Sequence, residues 1–195
     1  MHKYSIDTKE SAIITAYLAI ISVAFVLLIQ RFLGLLKINY WWFPAPSVMG
    51  VFWLFYLLFN NYLWNFKILK IIRLVKTPDI SGVWKGSIST THDGNLQPID
   101  ANLRIIQTWT TLEFELETKQ SVSKSYSAHL CCDHPKDIQI YYQYLSEPKI
   151  GSPETMNIHH GTAFLKLTPD GSKLIGEYYS GRGRGTQGTM EFART

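Results

Sequence analysis

The chain has 195 residues, 46% of them hydrophobic, and a net charge of +4. That length leaves room for one modest folded domain beside a second element, not for two large soluble domains. Residues 1–77 carry eight Lys or Arg against two carboxylates, whereas residues 78–195 carry eleven against thirteen. The region that looks foldable is thus slightly acidic, which argues against a DNA or RNA polymer as partner. Cys131 and Cys132 are the only cysteines. Adjacent residues rarely reach bridging geometry, so no disulfide framework is expected.

Between Ser11 and Phe66 the only charged side chains are Arg31 and Lys37. The run AIITAYLAIISVAFVLLI, residues 12–29, has no charge, and at about 1.5 Å per residue it nearly crosses a hydrocarbon core of about 30 Å. A second apolar run, Ser47–Phe66, follows Pro44 and Pro46, which suit a turn and a helix entrance. Two transmembrane helices, about 11–36 and 47–66, are therefore predicted as a hairpin. Tyr40, Trp41 and Trp42 would mark one interface, and Tyr62 and Trp64 the other. Lys67, Lys70, Arg73 and Lys76 outnumber the loop cations Arg31 and Lys37, an excess that places both termini on the cytoplasmic side. Their recurrence among apolar residues predicts a basic helix over 67–77, lying along anionic headgroups or ending the second span in water. Asn61 and Asn65 are predicted on one helix face, where their amides would join helices of different copies or sit wet among headgroups.

Thr77-Pro78-Asp79 ends the helical pattern, since proline disfavours helical geometry in the residue before it. Beyond it, residues 78–195 read as strands. In TLEFELE, Leu112, Phe114 and Leu116 alternate with Glu113, Glu115 and Glu117, the pattern of a sheet with one buried side. Eight strands are predicted, near Val83–Thr90, Ala101–Gln107, Thr111–Glu117, Ser123–Cys132, Ile138–Leu145, His159–Thr168, Lys173–Tyr179 and Gly185–Arg194. With no long crossover helix, the simplest way to remove exposed edges is to close this meander into an eight-stranded up-and-down barrel; a sandwich is the alternative.

The stretch Ile80-Ser81-Gly82-Val83-Trp84-Lys85-Gly86 has the Gly-x-Trp opening of lipocalin-like and fatty-acid-binding-like barrels, in which the Trp plugs one end. Together with the two preceding apolar runs and the closing segments Gly176–Tyr179 and Gly188–Arg194, the whole chain resembles the two-transmembrane β-barrel effectors of bacterial cyclic-oligonucleotide antiphage (CBASS) systems. The resemblance implies a multi-pass protein of the bacterial inner membrane. Its cytoplasmic barrel would sense a cyclic di- or trinucleotide, and the protein would then form homo-oligomers and disrupt the lipid bilayer. A membrane-tethered lipocalin-like binder of a lipid or small apolar ligand is the competing reading.

A cyclic oligonucleotide needs aromatic faces for its bases and donors for its phosphates. Tyr142 and Tyr144 fall with Ile138 and Ile140 on the more apolar side of one strand, and Tyr178 lies in another, so these are the stacking candidates. SGRGRGTQG, residues 180–188, sets Arg182 and Arg184 among glycines whose backbone can approach a phosphate, with Thr186 as a further donor; read plainly, it is a soluble hairpin loop. Arg104, between Leu103 and Ile105, is the next cationic candidate, although a lone basic residue in a strand commonly faces solvent. Cys131, Cys132, Asp133 and His134, with His159 and His160, are ligating residue types at spacings that do not suit a metal, so no metal and no cofactor are expected. There is no nucleophile elbow, P-loop or HExxH, and hence no support for an enzyme.

Overall fold

A computed structural model describes residues 1–37, 48–91, 97–132, 134, 137–153, 156–181 and 185–195. They form two units: Lys9–Val75, and Lys76–Thr195 together with Met1–Thr8.

In the first unit, helix α1 (Glu10–Leu35) is long and apolar enough to cross a membrane. It buries Ile14, Leu18, Ser22 and Val26, every fourth residue, and leaves Ile13, Tyr17, Ile20 and Leu28 exposed. The one hydroxyl in that stripe is satisfied within the helix, Ser22 donating to the Leu18 carbonyl at 2.6 Å. Helix α2 (Val48–Asn61) packs on α1 with the Phe25 and Phe55 rings edge to face, 5.3 Å apart. The continuous second span expected over 47–66 does not form. The described part of helix α2 has 14 residues, about 21 Å, and ends at Asn61. The chain breaks at Tyr62 into a single turn, Leu63–Asn65, and a short helix α3 (Lys67–Ile71). Asn60 and Asn61, residues of low helix propensity, stand at the break, where Asn60 Nδ2 donates to Asn61 Oδ1 at 3.1 Å. Asn61 and Asn65 therefore do not share a helix face, and Asn65 accepts from Lys70 Nζ at 2.5 Å. Trp64, expected at an interface, is buried with that ammonium 5.6 Å from its ring. The basic helix expected over 67–77 likewise stops at Ile71, and Arg73 adopts a left-handed backbone at φ 58°. Tyr40, Trp41, Trp42, Pro44 and Pro46 lie outside the described residues.

The second unit contains two short N-terminal strands, β1 (His2–Lys3) and β2 (Ser5–Ile6), and the eight expected ones. These are β3 (Gly82–Thr90), β4 (Ile99–Gln107), β5 (Thr111–Thr118), β6 (Ser121–Cys131), β7 (Ile138–Pro148), β8 (His159–Leu167), β9 (Lys173–Ser180) and β10 (Gln187–Arg194). Each of β3 to β10 pairs antiparallel with the next, and β10 returns to pair with β3 from Gly188↔Thr90 to Arg194↔Trp84. The meander is thus a closed barrel, not a sandwich. Alternate residues point inward, and Trp84, Leu103, Leu112, Ile140, Leu174 and Phe192 fill one half of the lumen. Trp84 plugs that end: its indole N–H donates to the Ile80 carbonyl at 3.0 Å, and the Arg194 guanidinium lies 5.2 Å from its ring. Arg194 is itself tied down by donating to the Ser81 carbonyl at 2.7 Å.

Residues 1–8, expected to belong with the membrane helices, instead complete the barrel wall. Strands β5 and β6 pair only at Glu115↔Lys124, Leu116↔Ser123 and Glu117↔Val122. Beyond a bulge at Ser125/Ser127 the two diverge, and the N-terminal segment occupies the gap. Strand β1 pairs antiparallel with β5 (His2↔Leu112), and β2 parallel with β6 (Ser5↔His129). Side chains secure the insert: Tyr4 donates to the Trp109 carbonyl at 2.8 Å, and Asp7 accepts the Cys132 N–H at 2.9 Å. Tyr4 and Ile6 pack against the hydrophobic core. Paired strands leave no open edge, which is the physical reason that a gap in the wall recruits this segment. Ser125 stands at the fork, its Oγ 2.7 Å from His2 Nε2 and accepting the Phe114 N–H at 2.9 Å. Ser125→Ala is expected to cost about 1–3 kcal/mol, because a part-buried amide loses its acceptor. The check is a lower unfolding midpoint together with faster amide exchange in residues 2–6.

Candidate ligand-binding cavity

Along β3 the inward positions run from Trp84 at the plugged end to Ile88 and Thr90 at the other, and there the packing gives way to a cavity of about 350 Å³. Its wall follows from strand register. Leu116, Ser123, Ser146 and His159 are direct cross-strand neighbours on β5, β6, β7 and β8, and all four line the cavity. Tyr144 on β7 and Tyr178 on β9 supply aromatic faces, while Met156 and Pro153, between β7 and β8, add apolar surface. Ser123 and Ser146 are buried polar side chains, so this half of the lumen mixes hydroxyls with the aliphatic side chains of Ile88, Ile99, Leu116 and Met190, where the other half is filled with aliphatic and aromatic groups alone. Lys119, in the β5–β6 turn, is the lysine or arginine that lines the cavity among the described residues.

The predicted site residues separate into three groups. Tyr144, Tyr178 and Thr186 come together around this cavity. Tyr142 points into the barrel as expected but lies deeper, in the packed core, stacked on Phe114 with ring centroids 4.3 Å apart and planes 6° from parallel. Burial pushes its phenol well above the usual range, so the hydroxyl stays protonated. That hydroxyl is buried and has no hydrogen-bond partner among the described residues. Arg104 faces outward and is exposed, opposite Glu115 on β5, because Leu103 and Ile105 on either side of it take the inward positions. It stands apart from the cavity.

Arg182 and Arg184 lie outside the described residues, but the segment that carries them springs from the rim. Thr186 is buried there, its Oγ1 2.7 Å from Ser180 Oγ, and its N–H donates to that same oxygen at 3.0 Å. The Ser180 N–H returns a bond to the Thr186 carbonyl at 2.8 Å, and the Gly181 N–H donates to the His160 carbonyl at 2.7 Å. Three hydrogen bonds thus join the two ends of the Gly-rich loop at the cavity, and the fourth ties Gly181 to β8. Ser123, Ser146, His159 and Lys119 were missed as lining residues, since polar side chains in a strand or turn read as solvent-facing; the period of two, counted from buried Tyr144, finds Ser146, whereas the bulge at Ser125/Ser127 breaks the count from Ala128 and Leu130 that would reach Ser123.

A closed up-and-down barrel plugged at one end by Trp84, with a cavity of hydroxyl, aromatic, aliphatic and cationic groups at the other, has the architecture in which small barrels hold one small ligand. The family model of the Cap15 cyclic dinucleotide receptor domain matches residues 75–194. The chain is 30% identical over 188 residues to the CD-NTase-associated protein 15 of Yersinia aleksiciae, covering 94% of this chain and 88% of that protein. It is 26% identical over 124 residues to the protein of the same name from Staphylococcus schleiferi, covering 63% of this chain and 64% of that protein. The chain belongs to the Cap15 family.

Tyr142→Phe removes a buried hydroxyl that has no described partner, and is expected to leave stability unchanged or raise it by about 1 kcal/mol. Chemical denaturation of the two proteins reads this directly. A loss of more than about 1 kcal/mol would show that the hydroxyl is hydrogen-bonded in the folded protein.

Proposed function

We propose that this protein is a membrane-anchored antiphage effector of the CBASS type, whose barrel binds a cyclic dinucleotide in the cavity opposite Trp84. The observation that carries the reading is the lining of that cavity in a Cap15-family barrel: Tyr144 and Tyr178 for bases, and the Ser180/Thr186 stem of the Arg182–Arg184 loop with Lys119 for phosphates. Base stacking on tyrosine contributes about 1–3 kcal/mol per base, and a charge-assisted bond to phosphate about 1.5–3 kcal/mol. The lipid-binding alternative fits less well. An acyl chain needs a long apolar channel, and the half of the lumen beyond the cavity is filled by Phe114, Tyr142, Leu103 and Phe192.

Binding acts on the membrane by favouring an assembled state. One long apolar helix and a shorter one cannot enclose a pore, so permeation requires several copies, and a ligand drives assembly only by binding the assembled form more tightly. The wall of the barrel provides a short covalent route for this coupling. The β5–β6 hairpin lines the cavity at its Thr118–Ser121 end and holds residues 2–6 at its other end, four positions before α1 begins at Glu10. The barrel is a receptor and not a catalyst in this account, and it faces the cytoplasm, where the excess of cations after the second apolar run orients it.

The test titrates the full chain in detergent with a panel of cyclic dinucleotides. Tyr144→Ala and Tyr178→Ala should each weaken binding by about 1–3 kcal/mol, and Arg182→Ala or Arg184→Ala by about 1.5–3 kcal/mol. In cells that also make the ligand, the full chain should admit a membrane-impermeant dye, and a chain lacking residues 9–77 should not. Failure of the whole panel would overturn the receptor reading, and dye entry with the shortened chain would overturn the membrane mechanism.

A further inference from the structure

We infer that Gly161 is a specificity-determining position of the cavity: it provides the slot in which the Tyr144 ring lies, and so keeps the space in front of that ring open for a nucleobase. The inference rests on the receptor reading of the cavity. Gly161 on β8 is the direct cross-strand partner of Tyr144 on β7 and of Ser180 on β9. A Cβ at position 161 would stand 2.3 Å from both Cζ and Oη of Tyr144 and 2.8 Å from Cε1, far inside van der Waals contact. The tyrosine is therefore folded flat across its neighbouring strand, over backbone that only a residue without a side chain leaves bare.

The ring has little freedom elsewhere. It is 6% exposed, with the Tyr142 ring 6.1 Å away and the His159 ring edge-on at 6.5 Å. A methyl group at 161 must displace it, and the unfilled volume beside it is the cavity. The second cavity tyrosine follows the same plan. Gly188 on β10 is the cross-strand partner of Tyr178, and a Cβ there would meet Tyr178 Cε1 at 2.7 Å. That Cβ would also meet the Ser89 carbonyl oxygen at 2.0 Å, so Gly188 additionally permits close approach of β3 and cannot be altered cleanly. The three nearest atoms at Gly161 all belong to the Tyr144 side chain, which makes it the position to test. Two strand glycines each seat one tyrosine, and the separation of the rings, hence the size of base that enters, is set by residues that need not touch the ligand.

The experiment is a double-mutant cycle on the full chain with Gly161→Ala, Tyr144→Ala and the pair, read by unfolding midpoint and by titration with cyclic di-AMP, cyclic di-GMP and cyclic di-UMP. Gly161→Ala should weaken binding at least tenfold in the native background, and more for the purine than for the pyrimidine ligand. In the Tyr144→Ala background it should change neither affinity nor midpoint, because the atoms it meets are gone. An equal loss in both backgrounds would overturn the inference, as would full affinity of Gly161→Ala. If Tyr144→Ala itself leaves affinity untouched, the fault lies in the receptor reading of the cavity; a midpoint cycle that is still non-additive would then show the slot to serve packing alone. Should Gly161→Ala fail to fold, Gly161→Ala combined with Tyr144→Leu must restore the fold if the tyrosine is the obstacle, and failure of that rescue counts against the inference.

Discussion

The C-terminal domain depends on the return of its last strand to its first. Seven residue pairs, Gly188↔Thr90 to Arg194↔Trp84, join β10 to β3 and convert a meander with two open edges into a barrel with none. The same pairing brings Arg194 over Trp84 and so plugs one end, while its opposite end brings Gly188 beside Tyr178 and Thr90 at the cavity. The strands can come this close because Gly86 has no side chain; a Cβ there would stand 1.8 Å from the Glu191 carbonyl oxygen. Closure thus assigns the two ends different work. Large apolar side chains fill the lumen near Trp84, and small polar residues with glycine-seated tyrosines leave it open at the rim.

Most of this was legible from the pattern of two. The alternation in β5, the turn residues between strands and the Gly-x-Trp opening led to eight strands and a closed barrel, and the apolar set of β7 pointed Tyr142 and Tyr144 inward. The same rule, applied to Leu103-Arg104-Ile105, turns Arg104 outward, and its exposure bears out the solvent-facing reading weighed against its candidacy. The N-terminal strands were invisible for a physical reason. Two-residue strands have no period, and His2–Ile6 is extended only because the gap between β5 and β6 needs partners, a demand that arises in the folded barrel. Tyr142 shows how far inwardness falls short of function: it is inward, but Phe114 covers its face, and depth along the lumen is a tertiary property.

The helical unit shows where composition misleads. Apolar content alone extended the second helix to Phe66, yet α2 ends at Asn61 and the chain turns before Lys67. Lys70 then serves Asn65 and Trp64, where a solvent-facing or headgroup-facing cation had been expected. Helix α1 keeps the length and apolar composition that a membrane crossing needs, and it leaves Ile13, Ile20 and Leu28 exposed. Residues 2–6 in the barrel wall and α1 after them form one continuous stretch of chain.

The central claim is that the ligand enters the lumen at the end opposite Trp84. Photoaffinity labelling of the full chain with an azido-substituted purine cyclic dinucleotide, followed by peptide mapping, tests it most directly. The account predicts label on residues 118–123, on Tyr144–Ser146 and around Tyr178, competed away by the unlabelled compound. Competed label on the outer wall around Arg104, or on α1 and α2, with none on those segments, would contradict it.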